Sequence, residues 1–250
     1  MIKQTVLSHL EDLRWTILRA CIYLFAASFI SFFVVDYVIE LAKLPSKEII
    51  ESFFILKPTE PVTIYFKTII YTGLTVSFLP ISYEFIKFIQ PALQKEQTIS
   101  VIKWSFVSFS LFVLGTLFAY FIVLPTAVKF LMDLGKHLTA SSSQIALNSY
   151  LSFVFAVLLC GGLIFQIPVI CAILTIFQII SPSVLRKFRK EVFFVLCIFA
   201  AIITPTTDIF SLALFVFPMA VLYEIGIIIS GIIYKKTIIQ DAIYGGNIHD

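Results

Sequence analysis

Apolar residues run through this chain in long unbroken blocks, without the two-residue alternation of a half-buried strand. Six blocks stand out: Trp15 to Val35, Val62 to Ile81 with an amphipathic continuation to Ile89, Trp104 to Leu124, Tyr150 to Phe177, Val192 to Thr204, and Ser211 to Ile233. A hydrocarbon core of about 30 Å takes roughly 20 helical residues, and five of the blocks reach that length. The fifth has about 13 residues, or about 20 Å of helix. It is followed by Thr204-Pro205-Thr206-Thr207-Asp208, which predicts a short hairpin that thins the bilayer or lies behind other helices. Strands of a membrane barrel would alternate over about 10 residues each, and no such pattern is present. The expected fold is all-α: one domain over residues 1–250, a polytopic bundle of six transmembrane helices with short fifth and sixth helices.

Composition removes the soluble alternatives. The 250 residues are 60% hydrophobic and 13% charged, with a mean hydropathy of +1.02. Soluble chains hold roughly 45–50% apolar and about 25% charged residues, so lipid is the solvent over most of the length. The first block is too long for a signal-peptide core, and no small-residue cleavage site or Arg/Ser-rich transit peptide precedes it. Cys21, Cys160, Cys171 and Cys197 all lie in apolar runs and form no CxxC pair, so they read as small hydrophobes rather than as a metal or redox site.

Basic residues set the expected orientation. Lys3, Arg14 and Arg19 precede or open the first span; Lys87, Lys95 and Lys103 lie between the second and third. Arg186, Lys187, Arg189 and Lys190 lie between the fourth and fifth, and Lys235 and Lys236 follow the sixth. The opposite loops hold only Lys43, Lys47, Lys57, Lys129 and Lys136. All four arginines fall on the richer side, so both termini are expected in the cytoplasm, or in the stroma of a plastid.

Ionisable or amide side chains inside a span each need a reason, because insertion costs about 2.5–3.5 kcal/mol per charge. Glu224, near the middle of the last block, fits either a packing carboxylate or a polar interface. Lys67, within the second block, is expected to snorkel to the outer surface. Gln166, two residues before Pro168, fits an interhelical hydrogen bond or a recognition role. Pro80, Pro168 and Pro218 are expected to kink their helices and build a concave, cupped face. Gly115 and Ala119 have the spacing of a close helix contact.

The chemistry of an enzyme is missing. His9, His137 and His249 all lie outside the blocks, and there is no HExxH, phosphate loop or Cys/His cluster. No metal or other cofactor is expected. Two matching half-chains, a frequent transporter signature, are not evident either. A six-span secondary transporter of a small solute, using Lys67, Gln166 and Glu224, stays open beside a protein-handling translocase.

A series of short motifs decides between them. His9-Leu10-Glu11-Asp12-Leu13-Arg14 resembles the HLxELR signature of the TatC family, with Asp12 in place of the usual Glu. Pro58-Thr59-Glu60 with Tyr65 and Lys67, and Ile89-Gln90-Pro91-Ala92-Leu93, are similar to the family's motifs flanking its second span. Phe118-Ala119-Tyr120-Phe121 with Pro125 and Phe130 resembles the end of its third, and Ser149-Tyr150-Leu151-Ser152-Phe153 the start of its fourth. Phe165-Gln166-Ile167-Pro168-Val169, Thr204-Pro205 with Asp208, and Leu222-Tyr223-Glu224-Ile225-Gly226 continue the match in order, from residue 8 to about 230.

The resemblance implies a core receptor of the twin-arginine translocase. Such a protein binds the twin-arginine signal peptides of folded precursors and works with small single-span partners of the TatA and TatB type. It also implies that the peptide's arginines meet two cytoplasmic carboxylates, the first being Asp12, with Glu11 and Arg14 beside it. The second is expected at Glu96, although an ungapped match puts Gln97 there. Gln166 stands where many members carry Glu; the amide looks more like the cyanobacterial and plastid branch and cannot ionise. Glu60, Lys67, Asp208, Glu224, Pro125 and Pro168 complete the expected functional set. The 27 Phe and the many Ile and Lys residues fit an AT-rich genome. A plastid thylakoid membrane is therefore expected ahead of a bacterial plasma membrane.

Overall fold

The computed structural model of the chain describes residues 2–47, 49–50, 52–90, 100–138, 144–203 and 209–244. Helix α1 (Ile2–Ser31) passes through a 3-10 turn at Phe32–Val34 into α2 (Val35–Lys43). Strand β1 (Ser52–Phe54) precedes α3 (Glu60–Ile89). Helix α4 (Val101–Phe118) continues through a π turn at Ala119–Val123 into α5 (Leu124–Leu138). Strand β2 (Gln144–Ala146) then leads into α6 (Leu147–Ile164) and α7 (Ile167–Ile176). The chain closes with α8 (Pro182–Lys187), α9 (Arg189–Ile203) and α10 (Ile209–Tyr244).

Among the described residues, five helical stretches are long and apolar enough to cross a membrane: Glu11–Ser46, Glu60–Ile89, Val101–Asp133, Leu147–Ile176 and Phe215–Lys235. In the first, only 11% of the apolar window is buried, so its hydrophobic surface faces outward, where a soluble protein would face water. Phe25, Phe33 and Phe217 are more than 70% exposed in the same sense. The predicted fifth span is α9, a 15-residue helix of about 22 Å, shorter than those five.

Several expectations need correcting. The fold is not purely α-helical: β1 and β2 pair in parallel, with Ser52 opposite Gln144, Phe53 opposite Ile145 and Phe54 opposite Ala146. Three residues per strand are too few to leave a periodic signal in sequence. The sixth helix is not short, since α10 runs 36 residues. Its apolar pattern fades at Tyr234, but residues 235–244 hold neither Gly nor Pro to end the helix. The third helix likewise continues beyond its apolar block to Leu138.

The prolines act unequally. Helices α3 and α10 run through Pro80 and Pro218 without interruption. Ahead of Pro168 the fourth helix breaks at Phe165-Gln166 and restarts as α7 with the proline in its first turn, where its missing N–H costs nothing. The π turn at Ala119–Val123 ends two residues before Pro125. A proline ring clashes with the carbonyl four residues back, and one wider turn relieves that clash without ending the helix.

The chain divides into two compact units: residues 1–91 with 98–162, and residues 92–97 with 163–250. In the first, α1 lies against α3 closely enough that a Cβ on Gly73 would meet the Ser28 Cα at 2.8 Å. The expected close contact at Gly115 and Ala119 is present. A Cβ on Gly161 of α6 would lie 2.5 Å from the Ala119 Cβ and 2.9 Å from the Gly115 carbonyl oxygen. Phe112 of α4 is fully buried and stacks on Phe78 of α3, with ring centroids 3.9 Å apart. In the second unit α7 packs on α10, the hydroxyls of Thr175 and Ser230 share a hydrogen bond, and Cys171, Leu185, Tyr223 and Ile227 form a buried cluster.

Candidate functional site

The first expected carboxylate, Asp12, lies in α1 with Glu11 and Arg14, and all three are exposed. A continuous helix carries them because residues 2–31 hold neither Gly nor Pro. Among the described residues none of the three forms an ion pair, so both carboxylates are open to an incoming cation. Glu96 and Gln97, the candidates for the second carboxylate, lie outside the described residues, as does Asp208.

Gln166 caps the N-terminus of α7 in the break of the fourth helix. It is buried, with its N–H donating to the Leu163 carbonyl at 3.0 Å and its carbonyl accepting from Ile170 at 2.9 Å. The break is thus pinned on both sides by this residue's backbone, while Pro168 is buried beside it. Asp12 belongs to the first unit and Gln166 to the second.

The intramembrane charges are held by partners that spacing alone does not reveal. Lys67 was expected to snorkel to a surface, and its ammonium ends on protein side chains. Its Nζ donates to Asn148 Oδ1 at 3.0 Å and to Ser152 Oγ at 2.8 Å, both on α6. Glu60, buried in the first turn of α3, accepts from the Leu56 N–H at 3.0 Å. A carboxylate there also meets the positive end of the helix dipole. Glu224 is about half exposed and pairs with Arg189 at 2.7 Å. Glu224 lies near the middle of the apolar stretch Phe215–Lys235, as expected, and its ion pair brings Arg189, the first residue of α9, to the same level. Arg189, Lys190, Phe193, Leu196, Ala220, Tyr223 and Glu224 line a cleft of about 340 Å³ between α9 and α10.

Sequence reading missed one pair altogether. Arg19 of α1 donates to Glu84 of α3 at 3.1 Å, and Tyr23 donates to the same carboxylate at 3.4 Å. Glu84 is buried, and Arg19 was legible only as an orienting charge. The signal available was a charge inside the first apolar block at Arg19 and one in the amphipathic continuation of the second at Glu84. Asp36 and Tyr65, joining α2 to α3, form a second unanticipated hydrogen bond. Of the cysteines, Cys171 is buried but Cys21 is exposed on the outward face of α1. No three metal-ligating side chains converge among the described residues.

The family model for TatC, the Sec-independent protein translocase protein, matches residues 8–218. The Sec-independent protein translocase protein TatC of Aquifex aeolicus is 34% identical over 91% of this chain and 95% of its own length. A tatC-like protein, ycf43, of Gracilaria tenuistipitata is 31% identical over 93% of this chain and 96% of its own. A crystal structure of the twin-arginine translocase receptor TatC superposes with a TM-score of 0.79 at 34% identity, covering 90% of this chain and 99% of that one.

Proposed function

The chain belongs to the TatC family of Sec-independent protein translocase components, and from that premise we propose that it is the receptor for twin-arginine signal peptides. The observation that carries this reading is the state of α1. Glu11 and Asp12 lie in the motif shared with the family, exposed and without an ion-pair partner among the described residues.

Two peptide arginines are permanently charged, planar donors suited to carboxylates. The first docks at Asp12, with Glu11 adding negative charge and Arg14 discouraging a single stray cation from neutralising the site. The second docks at Glu96 in the segment after α3, or at Gln97 if the register is ungapped. The apolar stretch of the peptide continues to the broken fourth helix, where the Gln166 amide orients it without ionising. The protein acts by binding, with no chemistry of its own.

In this reading α9 is a sixth crossing, short enough to thin the bilayer beside it, and both termini face the cytoplasm or stroma. Single-span partners of the TatA and TatB type pack against α9 and α10. The ycf43-type relative supports a thylakoid location, with a bacterial plasma membrane as the alternative. Reversing both charges, Asp12→Lys with Glu96→Lys, abolishes precursor binding while the protein still inserts and folds. Binding retained by the folded double variant contradicts the site.

A further inference from the structure

The mouth of the α9–α10 cleft combines charge and depth in a way the receptor role does not use. Glu224 precedes Lys235 by about 16 Å of helix, inside the apolar stretch Phe215–Lys235. Arg189 and Lys190, the first residues of α9, are therefore drawn below the level of the basic end of α10. Glu224 neutralises Arg189, and Lys190 has no ion-pair partner among the described residues. Arg186 and Lys187 are exposed next to the mouth. The Tyr223 hydroxyl donates to the Leu185 carbonyl at 2.9 Å, which fixes α8 there.

Below that basic mouth the walls are Phe193, Leu196 and Ala220. A cation at this depth needs an anion, and the apolar walls beneath it need a chain rather than a free ion. Basic pockets between membrane helices on the cytoplasmic side suit anionic headgroups. We propose that this cleft seats an anionic phospholipid, its phosphate on Lys190 with Arg186 and Lys187 nearby, and one acyl chain along Phe193 and Leu196. The bound headgroup is held deeper than its bulk neighbours, so the lipid itself extends the thinning around α9.

The full chain in nanodiscs of phosphatidylcholine mixed with phosphatidylglycerol, carrying a photoreactive phosphatidylglycerol, provides the test. Labelling should map to α9 and the Ala220 turn of α10, and phosphatidylglycerol should compete about fivefold or better over phosphatidylcholine. Lys190→Gln should weaken retention about fivefold, the worth of one basic residue near the surface, while Lys190→Arg keeps it. Unchanged thermal unfolding of Lys190→Gln in pure phosphatidylcholine separates a lost ligand from a lost fold. Equal competition by the two lipids overturns the proposal. So does displacement by millimolar inorganic phosphate, which would mark a bare anion site.

Discussion

At the scale of single residues, burial decides which charges matter. Glu84 is 7% exposed and its partner Arg19 47%, so the carboxylate depends on that guanidinium far more than the reverse. Glu84→Ala is expected to lower stability by about 1.5–3 kcal/mol, the range for a hydrogen bond to a charged group. Arg19→Gln alone should also destabilise, by stranding the buried carboxylate, and adding Glu84→Gln should recover part of that loss. Thermal unfolding in detergent of the two singles and the double measures the coupling.

Gln178 offers the opposite prediction. It holds φ at +56° after α7, where its N–H bonds to Thr175 and the next N–H bonds to Leu174. That is a Schellman end with a glutamine where glycine fits best. Gln178→Gly should stabilise the protein by about 0.5–1 kcal/mol, read as a higher melting temperature. Neither Gln178 nor Glu84 stood out in sequence, and Arg19 did so only as an orienting charge. A helix end with no glycine leaves no signature, and Arg19 and Glu84, 65 positions apart, meet only once α1 and α3 are packed.

Among elements, long apolar runs were legible because lipid imposes a length on every crossing helix. The small residues of α4 were legible for a related reason, since close packing in a membrane selects them. Their partner on α6 was not, because spacing on one helix cannot say which other helix it meets. Gly161→Ala puts a methyl 2.5 Å from Ala119, and should destabilise the first unit by about 1–3 kcal/mol through overpacking. Gly135→Ala, where a Cβ has open space, is the matched control in the same unfolding assay. The β1–β2 ladder and the true length of α10 escaped for want of any periodic or punctuating residue. The Pro168 break was foreseen as a kink, and its position at Gln166 follows from the proline's need for a first turn.

For the whole molecule, family membership turns a set of exposed and buried charges into a receptor reading. The open carboxylates of α1, the pinned break at Gln166 and the short α9 each have a place in it. The fold class and the motif order were legible from the chain, and the candidates for the second carboxylate lie among residues 91–99, outside the described residues. The measurement that bears most directly on this is photo-crosslinking of a twin-arginine signal peptide to the chain in membranes, beside the same peptide with both arginines changed to lysine. The receptor reading predicts an arginine-dependent crosslink at Asp12 or Glu96. A crosslink indifferent to the arginines, or none, would contradict it.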